Sequence, residues 1–163
     1  MQFTFRNDQP DVAITVLREV AQWLVDNDRE LWAIDDLTYP NLVDEYTQNN
    51  FYVMYADAEP AAVFILQWSD PLYYADVPDN TAGFIHKLAI RRQFSGQNMF
   101  QPILDFCRST CLSRGIHELQ LETDATRPAL MQFYERNGFE PTRRRLIEEF
   151  GKMYDCQFYV FKF

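Results

Sequence analysis

The chain has 163 residues, enough for about one ordinary domain built around one hydrophobic core. Its 47% apolar and 24% charged residues exclude wholesale disorder and collagen-like repeats, and aromatics are abundant at 16%. Fifteen Lys+Arg against 24 Asp+Glu leave a net charge of −9, which repels phosphate backbones and anionic lipid and disfavours nucleic acid as a partner.

Residues 2–6 alternate apolar and polar like a short strand. The same stretch lacks a basic leader with an apolar run behind it, and nowhere does an apolar run approach the ~18 residues of a membrane span, so a cytoplasmic protein without a membrane partner is expected. Val12, Val16, Leu17, Val20, Trp23 and Leu24 recur at helical spacing. Leu31 and Trp32 fall in a loop, and Thr38-Tyr39-Pro40 offers a cap and an early proline for a short second helix through Leu42, Val43 and Tyr46. Phe51–Ala56 and Ala61–Trp68 read as a hairpin around the turn Asp57-Ala58-Glu59-Pro60. Gly83–Ile90 is the next strand. Met99, Ile103, Leu104, Cys107 and Cys111 mark one face of a helix, with Asn98 and Gln101 spaced as a capping box and a stop near Arg114-Gly115. Cys107 and Cys111 are four apart without further ligand types nearby and read as helix core rather than a metal pair. With only three cysteines, no disulfide framework is expected. A strand over 117–123, a helix over 128–136 ended by Asn137-Gly138, and strands over 139–147 and 155–162 complete the order β-α-α-β-β-β-α-β-α-β-β. No linker or repeat divides the chain, so residues 1–163 are expected to form a single α/β domain. The sheet should be mixed and mostly antiparallel, with helices on its faces and its one β-α-β crossover between residues 84 and 123.

A strand running into a helix start makes an anion site, because the first helical N–H groups lack internal partners and carry the positive end of the dipole. That junction lies between Ile90 and Phe100. The stretch His86-Lys87-Leu88-Ala89-Ile90-Arg91-Arg92-Gln93-Phe94-Ser95-Gly96-Gln97, with Ile103-Leu104 downstream, resembles the acetyl-CoA-binding motif of the GNAT superfamily of N-acetyltransferases. Leu121-Glu122-Thr123, Leu130 and Phe133 to Pro141 are similar to that family's later motif, a strand and then a helix ending in Tyr-x-x-x-Gly-Phe. The likeness is densest over residues 83–141.

The resemblance implies parallel strands, near 84–90 and 117–123, that splay apart with the acyl thioester of acetyl-CoA in the opening. Pantetheine would pair with the backbone of Leu88, Ala89 and Ile90, the diphosphate with amides of Ser95, Gly96, Gln97, Asn98, Met99 and Phe100, and Arg127 and Phe133 would complete the cofactor contacts. Two departures from the family pattern stand out. Asn98 and Phe100 occupy positions where small residues are usual, and Arg127 occupies that of an Asn. Asn tolerates left-handed backbone, whereas the Phe100 ring must turn into the core or obstruct the phosphates.

For catalysis, Tyr134 matches the family's general acid toward the thiolate, and His86 lies where some amine-acetylating members carry a histidine that could accept the amine proton. Phe84 stands where other members place a glutamate base. Trp23, Trp32, Trp68, Tyr73 and Tyr74 are aromatic candidates for the acceptor pocket, with core packing the plainer reading of Trp23 and Trp68. His117 and the run Arg143-Arg144-Arg145 read as surface. The expected activity is acetyl transfer from acetyl-CoA to a primary amine of a small molecule, by direct attack in a ternary complex. A non-catalytic acyl-CoA-binding or sensor domain on the same fold is the alternative, and a partner-binding domain with an acidic surface is a second. By resemblance, pairing through the final strands suggests a homodimer.

Overall fold

The computed structural model describes residues Met1–Phe163. In chain order they form β1 (Phe3–Arg6), α1 (Pro10–Asp26), α2 (Tyr39–Glu45), β2 (Phe51–Ala56), β3 (Glu59–Gln67), β4 (Gly83–Ile90), α3 (Phe100–Ser113), β5 (Glu118–Asp124), α4 (Pro128–Arg136), β6 (Glu140–Glu149) and β7 (Lys152–Lys162). The seven strands make one mixed sheet in the order β1-β2-β3-β4-β5-β7-β6. β4 and β5 are parallel, while β1 with β2, β2 with β3, β5 with β7 and β6 with β7 are antiparallel. This is the expected α/β architecture, element for element.

Both hairpins are tighter than the sequence suggests. The first turn is only Asp57-Ala58, with φ of 49° and 75°, the left-handed pair that a two-residue hairpin needs. Pro60 therefore lies inside β3, opposite Tyr55, where a register shift between Met54 and Tyr55 makes a bulge that accepts a residue without an N–H. The second turn is Phe150-Gly151, with φ of 52° and 73°, so β6 and β7 run to it and residues 148–154 are not the loop the sequence implied. The charged residues Glu148, Glu149 and Lys152 mask the alternation there.

Two compact units can be described. The first comprises residues 1–67 and 86–106. Here α1 turns Ala13, Ile14, Val16, Leu17, Val20 and Ala21 onto β2 and β3, the 3.6-residue stripe seen in the sequence. Phe106 of α3 stacks on Phe5 at 4.2 Å, and Tyr52 on Phe64 at 5.4 Å. Thr38 caps α2 by accepting from the Asn41 N–H at 3.3 Å.

The second unit comprises residues 68–85 and 107–163. Its core gathers Tyr73, Tyr74, Ala82, Phe84, Ile147, Cys156 and Phe158. Gly83 opens β4 because nothing larger fits there: a Cβ would lie 2.7 Å from Cys111 Sγ and 3.0 Å from Leu119 Cδ2. Cys107 and Cys111 are buried in the helix core, and burial pushes the Cys107 thiol well above its ordinary range and the Cys111 thiol to about 12. No helix is long and apolar enough to cross a membrane.

Candidate active site

The parallel ladder between β4 and β5 is short. It consists of Gly83 opposite Leu119 and Phe84 opposite Gln120. Lys87, three residues further along β4, has a φ of 49°, a left-handed conformation that breaks the regular pleat in mid-strand. Beyond it, Ala89 is buried and Leu88 and Ile90 are half-buried.

In the first unit, side chains fix the exit from β4. The Arg91 N–H donates to the Ala61 carbonyl at 2.9 Å, and its guanidinium reaches Glu19 at 3.0 Å and the Pro60 carbonyl at 3.1 Å. The Arg92 guanidinium lies 3.8 Å above the half-buried Trp23 ring and donates to Ser95 Oγ at 3.3 Å, and Gln93 donates to Glu59. Trp23 is thus a platform for an arginine at the start of the loop.

The loop that follows is shaped by backbone conformation. Gly96 has a φ of 77° with open space where a Cβ would be, and Asn98 a φ of 53°, so the left-handed tolerance expected of Asn98 is in use. Ser95 to Asn98 are exposed, whereas Met99 and Phe100 are 2% and 3% exposed. Of the two arrangements open to the Phe100 ring, it takes the core. The N–H groups of Ser95 and Gln97 already donate to the Arg92 and Phe94 carbonyls, at 3.0 Å and 3.4 Å, which leaves Gly96, Asn98 and Met99 as better-placed donors than those two. The expected capping box does not form. α3 begins at Phe100, Asn98 lies two residues before it, and the Gln101 amide donates to Asp105 at 2.9 Å within the helix.

His86 belongs to the same unit. It is 4% exposed, with its ring 5.3 Å from that of Tyr46, which is the packing of a core histidine.

In the second unit α4 carries Tyr134 among aromatic neighbours, with Phe133, Phe139 and Tyr159 at ring separations of 5.3, 5.9 and 6.1 Å. Burial, then the charges of Glu122 and Tyr159, push the Tyr134 phenol far above its ordinary value, so it stays protonated through the physiological range. Tyr159 donates to Glu135 at 3.1 Å, which ties α4 to β7. Arg127 is the residue preceding α4, and its Nε pairs with Asp124 at 3.4 Å.

The acceptor-pocket expectation for Tyr73 and Tyr74 needs correcting, because both rings are buried. Asp70 accepts from the Leu72 and Tyr73 N–H groups, and the turn so formed delivers Tyr74 onto Phe84 at 4.5 Å and edge-on to Phe158 at 5.2 Å. The Tyr74 hydroxyl keeps a polar role, donating to Glu122 Oε2 at 2.6 Å. Glu122 carries no signal of its own in the sequence beyond its place in a strand motif. Nor is the arginine run simply solvated. Arg143 pairs with Asp76 and Arg144 with Asp155, each through two hydrogen bonds, and Arg145 donates to the Tyr73 carbonyl at 3.2 Å. His117 is exposed, as expected; Trp32 and Trp68 are half-buried, Trp68 beneath the Arg114 guanidinium at 4.3 Å.

The acetyltransferase (GNAT) family pattern matches residues 17–139. The chain is 26% identical over 137 residues to the uncharacterized N-acetyltransferase YesJ of Bacillus subtilis, a match covering 77% of this chain and 73% of that protein. Among solved structures it resembles a GNAT-family acetyltransferase from Listeria monocytogenes, with a TM-score of 0.72 and 15% identity over 99% of this chain and 95% of that one. It also resembles the PaiA N-acetyltransferase of Thermoplasma acidophilum in complex with coenzyme A, with a TM-score of 0.69 and 16% identity over the full length of both. At those identities the structural likeness speaks for the fold. The family match spans most of the sequence, and with it this chain belongs to the acetyltransferase (GNAT) family. It is an N-acetyltransferase.

Proposed function

We propose that this enzyme moves an acetyl group from acetyl-CoA to a primary amine of a small molecule, by direct attack in a ternary complex. One observation carries the cofactor half of this reading. The exposed Gly96–Asn98 turn holds two left-handed residues immediately before a 14-residue helix, with the Phe100 ring withdrawn into the core. Such backbone suits a diphosphate, because consecutive N–H groups converge on one concavity at the positive end of a helix dipole. Gly96, Asn98 and Met99 are the proposed diphosphate donors, and the backbone of Leu88, Ala89 and Ile90 would pair with the pantetheine amides. Arg127, engaged with Asp124, would have to share its guanidinium to meet a phosphate. Phe133 would supply apolar contact.

The donor supplies an electrophilic thioester carbonyl. Tyr134, kept protonated by its surroundings, donates a proton to the departing sulfur. His86 accepts the amine proton directly or across a water, and its ring must leave part of its packing on Tyr46 to do so. An acyl-cysteine route is disfavoured by the thiols themselves. All three cysteines are buried, and burial raises Cys111 and Cys156 to about 12 and Cys107 beyond its ordinary range, so none supplies a thiolate near neutral pH.

Turnover of acetyl-CoA across a panel of primary amines, read as released thiol and as amide product, tests this reading. Tyr134→Phe should lower kcat by about 10²-fold or more while leaving the acetyl-CoA KM nearly unchanged. His86→Ala should flatten the acid limb of the pH profile. Acetyl-CoA binding without turnover of any amine would instead support a non-catalytic binder.

A further inference from the structure

We propose that Gln67 reads the acceptor: its side-chain amide hydrogen-bonds a neutral polar group, a hydroxyl or a carboxamide, carried close to the amine that is acetylated. The inference rests on the acetyl-transfer reading with His86 as base and adds to it a residue that selects the acceptor. Every residue it uses belongs to the first compact unit.

Strand β3 supplies the first observation. From Ala61 to Gln67 every residue is buried, and the first six side chains are apolar. Gln67 ends that run at 6% exposure, where an amide gives up most of its water. Buried amides ordinarily recover that loss by pairing within the protein. The Gln67 amide makes no hydrogen bond to any protein group, yet it is not sealed from solvent. Two donor hydrogens and a carbonyl oxygen are thus held ready for a small molecule.

The register of β2 and β3 supplies the second. Ile65 lies directly opposite Phe51, so the two share one face of the sheet. The Tyr46 ring meets Phe51 edge-on at 6.5 Å and the His86 ring at 5.3 Å, which puts the proposed base on that face too. Gln67 follows Ile65 by two residues in the same strand and projects to the same side. Phe64 turns the other way, toward Phe5 and Phe106. Because β3 and β4 are neighbours in the sheet, Gln67 and His86 stand on adjacent strands of one face.

Residue type then sets the ligand chemistry. A methyl group placed against Gln67 leaves the desolvated amide unpaired, and a carboxylate brings a charge to the apolar surroundings of Ile65 and Phe51 with no cation to meet it. A hydroxyl or carboxamide does neither, and a site built around such a bond discriminates strongly against analogues that lack it.

The experiment compares kcat/KM for primary amines matched in shape: ethanolamine with propylamine, and β-alaninamide with isopentylamine, with β-alanine as the charged member. Wild type should prefer the polar member of at least one pair by about 10-fold or more, and β-alaninamide over β-alanine. Gln67→Met, which keeps the length of the side chain without its amide, should reduce the polar-to-apolar ratio by about 10- to 100-fold, mainly through KM. Its melting temperature should stay within about 3 °C of wild type or rise, because no internal hydrogen bond is removed. A larger fall would show that the amide serves the fold and would overturn the proposal. No preference in the wild type, β-alanine outranking β-alaninamide, or a ratio unchanged in Gln67→Met would overturn it as well. If the wild type acetylates no amine, the underlying reading fails by itself. The subsite is then judged by whether β-alaninamide, added with CoA, raises the melting temperature of wild type but not of Gln67→Met; absence of that difference overturns it.

Discussion

Between Arg91 and Phe100 the proposed ligand contacts are backbone, and around Tyr134 they are side chains. In the first region two left-handed residues, Gly96 and Asn98, shape an exposed turn, while Met99 and Phe100 point their side chains into the core. In the second, Tyr74, Glu122 and Tyr134 come from a loop, a strand and a helix, with the Tyr74 hydroxyl donating to the Glu122 carboxylate and the Glu122 charge helping to raise the Tyr134 phenol. A backbone site tolerates changes of sequence as long as each new residue accepts the same φ and keeps its side chain out of the way. That is how Asn98 and Phe100 can replace small residues here. A side-chain site has no such latitude, because its chemistry is lost with the group.

The contrast can be broken most forcefully at Phe100. If its ring is core, Phe100→Ala leaves a cavity costing about 3–5 kcal/mol, a drop in melting temperature on the order of 10 °C, with no gain in acetyl-CoA affinity. Tighter binding in a still-stable variant would mean that the ring stands over the phosphates. Gly83→Ala should cost about 1–3 kcal/mol, because its Cβ would meet Cys111 and Leu119, and thermal melting should register that loss. Gly96→Ala meets no neighbour and carries only backbone strain of about 1–2 kcal/mol. It should weaken acetyl-CoA binding by up to about tenfold, and Asn98→Gly should not weaken it at all.

The smallest effect is expected at the Asp76–Arg143 pair. Hydrogen bonding to Arg143 lowers the Asp76 carboxyl from 3.8 to about 2. A carboxyl lowered on folding contributes stability that is fully present above its unfolded value and fades as pH falls toward the folded one. Asp76→Asn should therefore remove a minor part of the acid dependence of stability between about pH 4 and pH 2, measured by denaturation at each pH, and change nothing at pH 7 beyond a small constant offset.

What can be read from the sequence follows the same division. The order of elements is legible because helical stripes such as Val16, Leu17 and Val20 and strands such as Phe51–Ala56 are local patterns. The loop at Gly96 and the helix bearing Tyr134 are legible for the same reason, as short motifs with fixed spacing. The bond between Tyr74 and Glu122 is not, because the two residues lie 48 positions apart in the chain. The burial of Tyr73 and Tyr74 is likewise hidden, since a stretch between prolines reads as exposed loop until Asp70 is seen to fold it inward. The turn at Phe150-Gly151 escapes because charged residues on both sides obscure the strand alternation.

The proposed acetyl transfer depends above all on a thioester donor seating on the Gly96–Asn98 turn, and calorimetric titration with acetyl-CoA tests that directly. One-to-one binding with a dissociation constant in the micromolar range, weakened in Gly96→Ala and preserved in Tyr134→Phe, is the expected result. Heat no greater than dilution up to millimolar acetyl-CoA, with the wild-type protein folded, would contradict it.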